Sequence, residues 1–296
     1  MAARLIDGKT IAEQIHAETA AEIARLNSQH HLTPGLAVVL VGDDPASAAY
    51  VASKDKMCAR LGLHSVRVNL PAKTTQGELL ANITDLNFDR AIHGILVQSP
   101  LPAHIDENVI FAEIDPTKDV DGFHPLNVGK LALGDETGLV PCTPAGIHQL
   151  LLRSGVAIEG AHVVVLGRSR IVGRPVSLIL SAKKPNANAT VTVCHTRSKD
   201  LAELCRSADI LIAAIGQPRF VKADMVRQGA VVIDVGVNRV EGSPRSERGK
   251  LVGDVDFEPV SQKASLITPV PGGVGPMTIA MLMHNTVRAA KLRHGL

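Results

Sequence analysis

The chain has 296 residues, in which 31 lysines and arginines stand against 29 acidic residues for a formal net charge of +2. This near balance excludes a general attraction to nucleic acid or to an anionic membrane, so we expect neither as a partner. The length exceeds what one hydrophobic core usually supports, and we expect two domains. Hydrophobic residues make up 45% of the chain but aromatic residues only 2%, a composition typical of parallel sheets covered by helices.

We expect a cytoplasmic enzyme that holds no metal. The apolar runs are far shorter than a bilayer span, and the first residues are too polar for a secretory signal. The four cysteines and twelve histidines lack the spacings of zinc sites, such as C-x-x-C or H-E-x-x-H. The cysteines are therefore expected to be reduced thiols.

In the first half of the chain, short apolar runs alternate with helical patterns, which predicts parallel strands joined by helices. The pattern predicts strands at 35–42, 64–70 and 92–98 and helices at 47–63 and 75–87. Gly62 is placed to end the first of these helices. The stretch 125–146 that follows is rich in glycine and proline, and we take its end as a domain junction.

A second alternating series, typical of a doubly wound nucleotide-binding unit, begins near residue 161. It predicts strands at 161–167, 189–195, 209–216 and 230–236, with helices after Gly173, at 199–208 and near 222–229. The polar segment 238–250 predicts an exposed loop. Pro276 opens a last helix. We therefore predict a first α/β domain of residues 1–146, completed by a returning helix at 276–296, a Rossmann-type domain at 147–275, and a cleft between them.

The turn after the strand at 161–167 is a candidate nucleotide site. Gly167 would make a tight turn and Gly173 would let the next helix pack closely, so that amides between them could receive a pyrophosphate. The spacing G-x-S-x-x-x-G differs from the usual G-x-G-x-x-G, and alone it leaves a plain strand-to-helix turn equally open. The next strand ends in "VCHTRSKD", where Arg197 and the nearby Arg168 favour NADP over NAD.

The single tyrosine, Tyr50, lies four positions before Lys54. On a helix both side chains share one face, where the amine could exchange a proton with a substrate that the tyrosine positions. A half-buried tyrosine beside a solvated lysine is the plain alternative. Y-x-x-x-K is also the signature of short-chain dehydrogenases, but there it follows the glycine-rich loop, whereas here it precedes it. That order argues against a short-chain carbonyl reductase.

Several ordered motifs, of which "KDVDG" and "VPGGVGPMT" are the most specific, carry a resemblance that covers the whole chain. The chain resembles the bifunctional methylenetetrahydrofolate dehydrogenase and methenyltetrahydrofolate cyclohydrolase family. The matching segments are 5–9, 41–54, 94–102, 118–131, 141–146, 167–175, 232–240, 253–257 and 267–278. A non-catalytic NADP-sensing module remains the alternative from another class, and it leaves Tyr50, Lys54 and Asp121 unexplained.

The resemblance implies a set of folate-site residues. Lys54 matches the general acid and base of the cyclohydrolase step, and Gln98 the glutamine that helps to keep it neutral. Tyr50 matches the tyrosine that packs on the folate, and Asp121 the carboxylate that holds the pterin ring. The loop that closes over the substrate is matched by Pro271, Gly272 and Gly273. Ser99 replaces a leucine that is usual in the family, and we expect modest effects on affinity from this departure.

The resemblance also implies the cofactor site and the biological setting. The phosphate-binding turn is matched by Gly167, Arg168, Ser169 and Gly173, the adenosine phosphate region by Thr196, Arg197 and Ser198, and the nicotinamide end by Val237, where isoleucine is common. The implied activities are NADP-dependent oxidation of 5,10-methylenetetrahydrofolate and hydrolysis of the product to 10-formyltetrahydrofolate. The implied context is one-carbon metabolism that supports purine biosynthesis, in a homodimer formed through the cofactor domain.

Overall fold

The apolar runs found in the sequence become buried strands in the computed structural model, which describes residues 2–240 and 250–296. The helices are α1 (Gly8–His30), α2 (Pro45–Leu61), α3 (Gln76–Phe88), α4 (Glu107–Glu113), α5 (Pro125–Leu133), α6 (Cys142–Arg153), α7 (Gly173–Ser181), α8 (Leu201–Arg206), α9 (Phe257–Ser261) and α10 (Val274–His294). The strands are β1 (Arg4–Leu5), β2 (Gly35–Val41), β3 (His64–Leu70), β4 (Gly94–Val97), β5 (His162–Leu166), β6 (Thr190–Cys194), β7 (Ile210–Ala213), β8 (Val231–Asp234), β9 (Asn238–Val240), β10 (Lys250–Val252) and β11 (Leu266–Ile267). Over these residues, no helix is both long and apolar enough to span a membrane.

The residues form two compact units. The three-stranded unit comprises Glu13–Cys142 and Ile279–Leu296, and the six-stranded unit comprises Met1–Ala12 and Thr143–Thr278. The three-stranded unit contains the sheet β3-β2-β4, and the six-stranded unit contains the sheet β1-β11-β8-β7-β5-β6. Every strand pairing in these two sheets is parallel. The α/β class is therefore confirmed.

In the three-stranded unit, β2 lies between β3 and β4, and each of its residues is buried. A strand covered on both faces must be apolar throughout, and this is the pattern of its sequence. The three strands and two helices predicted for this part of the chain are confirmed. The core between the sheet and α3 contains Leu79 and Ile83, which recur at the helical spacing that predicted the helix.

Helix α2 has clear end signals. The Asp44 carboxylate accepts a hydrogen bond from the Ser47 amide at 2.7 Å, and Pro45 occupies the first turn, where a missing N–H is harmless. The helix ends at Gly62, which adopts the left-handed conformation with φ of 81°. Tyr50 and Lys54 therefore lie on one regular helix, as predicted.

The segment that contains the "KDVDG" motif is fixed beside β4. Asp119 forms an isolated parallel bridge with Ile95 of that strand. Lys118 is fully buried, and its Nζ donates to the carbonyl oxygens of Leu86 at 2.8 Å and Asp89 at 2.7 Å, at the end of α3. Burial lowers the pKa of Lys118 to about 8. The ammonium group thus compensates the exposed carbonyls of a helix end and holds the motif against α3.

The six-stranded unit has the strand order of a nucleotide-binding fold. Along the chain, β6 is added on one side of β5, and β7 is then added on the other side. The order therefore reverses at β5, and in open parallel sheets ligands bind outside the carboxyl ends of the strands at such a switch point. Gly167 immediately follows β5 at this edge, and Ala214 immediately follows β7.

One prediction about local structure was wrong. The helix expected near 222–229 is only a single 3-10 turn, Ala223–Met225, because the stretch has too few apolar positions to support a longer helix. The stretch 125–146, whose end was taken as a domain junction, contains α5 and the start of α6. Its proline and glycine are helix-end signals: Pro125 opens α5, and Gly134 ends it with φ of 74°.

The first residues of the chain and the segment 238–250 also differ from expectation. Residues 238–240 and 250 belong to the antiparallel strands β9 and β10 rather than to a loop, whereas 241–249 lie outside the described residues. Residues 1–12 were assigned to the first domain but belong to the six-stranded unit, because β1 pairs with β11. A strand of two residues is too short to leave a pattern in the sequence.

Candidate active site

Lys54 is a buried amine whose hydrogen-bond partner is a neutral amide. Only 7% of the residue is exposed, and its Nζ donates to Oε1 of Gln98 at 2.8 Å. Gln98 directly follows β4, where its backbone amide donates to the Val39 carbonyl at 2.9 Å and its Nε2 donates to the Ser99 carbonyl at 2.7 Å. The amide group is thus held with its oxygen towards the lysine.

Burial and the nearby Asp121 carboxyl act on the pKa of Lys54 in opposite directions, and burial has the larger effect. Burial lowers the pKa of Lys54, and the Asp121 carboxyl is the main group that opposes this shift. Burial also raises the pKa of Asp121 to about 6, against the influence of Lys54. A carboxyl group with a higher pKa in the folded protein than in the unfolded chain lowers the free energy of unfolding as the pH rises. The loss accumulates from the unfolded pKa to the folded pKa. Such an arrangement lowers stability at neutral pH, which is typical of functional sites.

A network of backbone contacts supports Asp121. The neighbouring Asp119 is 1% exposed, and its carboxylate accepts hydrogen bonds from the backbone amides of Phe123 at 3.1 Å and His124 at 2.8 Å and from the Asn127 side chain at 2.9 Å. These bonds hold residues 123–127 close to the "KDVDG" motif. Burial nevertheless raises the pKa of Asp119.

Asn285 of α10 and Cys142 fix the same segment from the other side. The Asn285 Nδ2 donates to the carbonyl oxygens of Val120 and Val140, both at 2.8 Å, and Asn285 is 2% exposed. The Cys142 thiol donates to the Val120 carbonyl at 3.2 Å. Burial raises the pKa of Cys142 well above its usual range, so it remains a neutral thiol. These side chains hold the residue that precedes Asp121.

The structure brings together Lys54, Gln98 and Asp121 within the three-stranded unit, and it places Tyr50 one turn before Lys54 on α2. Tyr50 is 54% exposed, so that its ring is available to a ligand. The predicted substrate loop, Pro271–Gly273, lies between β11 and α10 and belongs to the six-stranded unit.

The glycine-rich turn after β5 packs closely against neighbouring backbone. Gly167 has φ of 127°, and a Cβ atom there would lie 2.1 Å from the Ala214 carbonyl oxygen. Gly173 opens α7, and a Cβ atom there would lie 2.1 Å from the Gly167 carbonyl oxygen. Between them, the Ser169 hydroxyl accepts from the Val172 amide at 3.2 Å and shapes the turn. Arg168 is exposed on it.

The turn after β6 is equally compact and carries no acidic residue at the strand end. The Ser198 amide donates to the His195 carbonyl at 2.8 Å, and the His195 amide donates to the Ser198 hydroxyl at 3.0 Å. Thr196 and Arg197 at the tip are exposed. An acidic residue here would serve the ribose hydroxyls of NAD, whereas a cation suits a 2′-phosphate. Val237, which follows β8 at the same edge of the sheet, is 55% exposed.

Both halves of the chain match family models. The model for the tetrahydrofolate dehydrogenase/cyclohydrolase catalytic domain matches residues 6–121, and the model for the NAD(P)-binding domain of the same family matches residues 141–294. The chain belongs to the tetrahydrofolate dehydrogenase/cyclohydrolase family. The resemblance found in the sequence is thereby confirmed.

Individual members of the family are similar over their full length. The bifunctional protein FolD of Syntrophus aciditrophicus is 56% identical, with all of both chains covered. The solved structure of the Campylobacter jejuni FolD methylenetetrahydrofolate dehydrogenase/cyclohydrolase has a TM-score of 0.92 at 51% identity, covering 99% of this chain and 100% of that chain. The Trypanosoma brucei FolD, solved with NADP cofactor and an inhibitor, has a TM-score of 0.93 at 40% identity, with both chains fully covered.

Sequence reasoning missed the residues that support this family's site. Asn285 had a signal, because it is an amide within the apolar stretch "MLMHNTV" of a helix, where a buried polar group needs partners. Cys142 was interpreted only as a reduced thiol. Asp234 and Asp254 lie in two of the matching segments, and neither received a role.

Proposed function

We propose that this chain oxidises 5,10-methylenetetrahydrofolate with NADP and then hydrolyses the methenyl product to 10-formyltetrahydrofolate. The observation that carries the proposal is the buried Lys54 amine, bonded to Gln98 and close to Asp121, in a member of this family. The three-stranded unit would bind the folate, and the six-stranded unit would bind NADP. Neither a carbonyl reductase nor a sensing module needs a buried lysine that is bonded to an amide oxygen and lies near a carboxyl group.

In the dehydrogenase step, NADP when bound supplies the hydride acceptor. The folate keeps a resonance-stabilised methenyl cation, and no general base is required. The protein's own contribution is therefore alignment. The Tyr50 ring would pack on the folate, Asp121 would hold the amino and ring nitrogens of the pterin, and Pro271, Gly272 and Gly273 would close over the substrate.

In the cyclohydrolase step, water adds to the methenyl carbon and a carbon–nitrogen bond of the ring opens. A neutral Lys54 would take a proton from the attacking water and return a proton to the leaving ring nitrogen. The Gln98 oxygen accepts an N–H of the amine and so fixes the direction of its lone pair. A carboxylate in the place of Gln98 would stabilise the ammonium form and remove the base.

The NADP site that we propose combines residues from three strand ends. Gly167 and Gly173 allow the turn after β5 to pack closely on neighbouring backbone, and its amides would receive the pyrophosphate. Arg168 and Arg197 are exposed on the turns after β5 and β6, and Val237 would meet the nicotinamide end through its backbone. Ser169, Thr196 and Ser198 would add hydroxyl donors for the phosphates. The compact turn at the two glycines, the exposed arginines and the lack of an acidic residue directly at the end of β6 support this assignment.

Replacing both Arg168 and Arg197 by alanine is expected to weaken NADP binding while NAD binding changes little. Each arginine can contribute a charge-assisted hydrogen bond to the 2′-phosphate, which NAD lacks, and such bonds are worth about 1.5–3 kcal/mol. Calorimetric titration with each nucleotide measures the preference. Lys183→Ala, at an exposed cation after α7, is the matched control. An unchanged ratio of the two dissociation constants would show that neither arginine reads the phosphate.

Two absorbance assays test the proposed function. The first supplies methylenetetrahydrofolate and NADP and is read with and without acid, which separates the methenyl from the formyl product. The second starts from methenyltetrahydrofolate without nucleotide and follows its loss. We expect activity in both assays. A chain that reduces no NADP with methylenetetrahydrofolate, or that leaves the methenyl compound unchanged, contradicts the proposal.

We further propose that the protein works in the cytoplasm, where 10-formyltetrahydrofolate would serve purine biosynthesis, and that it forms a homodimer through the six-stranded unit. Support for the dimer comes from β6, which is an edge strand of its sheet and leaves Val193 41% exposed. Exposed edge strands are normally covered or paired. Sedimentation analysis of the purified chain would distinguish the dimer from a monomer.

A further inference from the structure

Two buried carboxyl groups, Asp234 and Asp254, lie beneath the loops at the carboxyl ends of β7 and β8. Asp234 is the last residue of β8 and is 2% exposed, whereas Asp254 follows β10 and is fully buried. Among residues 2–240 and 250–296, the hydrogen-bond donors to the two carboxyl groups are backbone amides and one side-chain amide. Burying two carboxyl groups side by side is costly, so the contacts that they make must serve a purpose.

Asp254 joins two loops. Its Oδ2 accepts hydrogen bonds from the backbone amides of Ile215 at 2.7 Å and Gly216 at 2.9 Å, both in the loop after β7. Its Oδ1 accepts from the Nδ2 of Asn238 at 2.8 Å, in the segment after β8. One carboxylate therefore fixes the distance between the two loops.

Asp234 fixes the other side of the same segment. Its Oδ1 accepts from the backbone amides of Gly236 at 3.0 Å and Asp254 at 2.8 Å, and its Oδ2 accepts from the Val255 amide at 3.0 Å. Val237 is thus flanked by a residue bonded to Asp234 and by Asn238, which is bonded to Asp254. Its own side chain is exposed.

The backbone around the two carboxyl groups leaves no space for larger residues. A Cβ atom on Gly236 would lie 2.2 Å from Oδ1 of Asp254, and one on Gly253 would lie 1.8 Å from Oδ2 of Asp234. The glycines of the segments "VIDVGVN" and "GDVDF" therefore allow the carboxyl groups to reach the amides. The contacts between the two carboxyl groups and the neighbouring backbone thus account for the glycine of each segment and for Asp234 and Asp254.

We propose that Asp234 and Asp254 act as a carboxylate clamp that positions Val237 and the loop after β7, and thereby the nicotinamide end of the cofactor, for hydride transfer. The clamp rests on the proposed function, since it assigns positioning residues to the dehydrogenase step alone. Burial, together with the nearby Asp254 carboxyl, raises the pKa of Asp234 to about 7. The three amide donors around Asp234 oppose that shift, so they are matched to its ionised form.

Asp254→Ala is expected to weaken NADP binding and to lower the turnover number of the dehydrogenase, because a reacting group misplaced by about 1 Å can cost on the order of 100-fold. Cyclohydrolase activity, assayed with methenyltetrahydrofolate and no nucleotide, should stay at the wild-type level. Asp254→Asn should retain most of the dehydrogenase activity: its carbonyl oxygen can accept from Ile215 and Gly216, while the Asn238 amide turns to accept from its new amino group. Asp256→Ala, two residues along the chain in an exposed ion pair with Lys222, is the matched control.

Asn238→Ala provides a milder variant that removes only one of the contacts, and it is informative even where Asp254→Ala does not fold. The clamp predicts that Asn238→Ala raises the NADP dissociation constant, measured by calorimetry, and that its effect is not additive with that of Asp254→Ala. Unchanged NADP binding and turnover in Asn238→Ala and Asp254→Ala would overturn the clamp. Equal loss of both activities would also overturn it, because that result indicates a structural role.

Failure of the clamp and failure of the proposed function give different results. If the wild-type chain has no dehydrogenase activity, the proposed function is wrong. NADP calorimetry on Asn238→Ala and Asp254→Ala still decides whether the clamp shapes a nucleotide site. If the wild-type chain has both activities and these variants change neither NADP binding nor turnover, only the clamp is wrong.

Discussion

Lys54→Met is expected to reduce cyclohydrolase activity by about 10²–10⁴-fold, the usual contribution of a positioned acid or base. Hydride transfer should persist, because oxidation of the methylene bridge needs alignment but no proton transfer. Methionine keeps most of the volume of the lysine side chain, which is 7% exposed, and so the packing around it is preserved. The two assays that start from methylenetetrahydrofolate and from methenyltetrahydrofolate measure the two activities separately.

The same substitution has opposing effects on stability. It removes a buried amine whose pKa burial lowers, but it leaves the Gln98 oxygen without its donor and Asp121 without the nearby amine. Thermal unfolding of the variant should therefore be measured beside the two activities. Lys56→Met, at an exposed lysine on the same helix, is the matched control and should leave both activities unchanged. Equal loss of both activities in a folded Lys54→Met protein would contradict the separation of roles, since it would mean that the amine serves alignment.

Gly167→Ala is expected to weaken NADP binding by on the order of 100-fold. The new methyl group would lie 2.1 Å from the Ala214 carbonyl oxygen, and Gly167 has φ of 127°, where residues with a side chain are strained. The turn after β5 would have to move by about 1 Å to relieve this contact, and a displacement of that size can cost on the order of 100-fold. Titration calorimetry with NADP measures the loss.

Gly229→Ala separates the steric clash from the backbone strain. Gly229 belongs to the same unit and also has a positive φ, of 82°, but a Cβ atom there meets nothing within 4 Å. The Gly229→Ala protein should lose a little stability and keep the wild-type affinity for NADP. If Gly167→Ala bound NADP as tightly as Gly229→Ala, the close approach of the two backbones would not shape the nucleotide site.

Local sequence patterns were sufficient to predict most of the longer strands and helices of the three-stranded and six-stranded units. β2 is buried on both faces, so its sequence is apolar throughout, and α2 carries an N-cap, a first-turn proline and a C-cap glycine. Helix α1 escaped prediction because its buried positions are interspersed with many small and polar residues. Helix α5 was not predicted, since the residues that end helices are also those that form turns.

The site was predictable only where the family resemblance supplied it. Lys54 and Gln98 are 44 positions apart, and no spacing rule pairs them. Asp254 accepts hydrogen bonds mainly from backbone amides, which leave no trace in the sequence. Asn285 contacts carbonyl groups more than 140 positions away. Such contacts depend on how the chain folds back on itself, and local propensity says nothing about that.

The course of the chain has a consequence for biosynthesis. α10 continues from the six-stranded unit into the three-stranded unit, where Met283 contacts Cys58 and Asn285 holds the backbone before Asp121. A ribosome releases residues 13–142 long before it releases these partners, although domains usually fold in order from the N-terminus. The backbone before Asp121 therefore gains the support of Asn285 only after residues 143–273 have been synthesised.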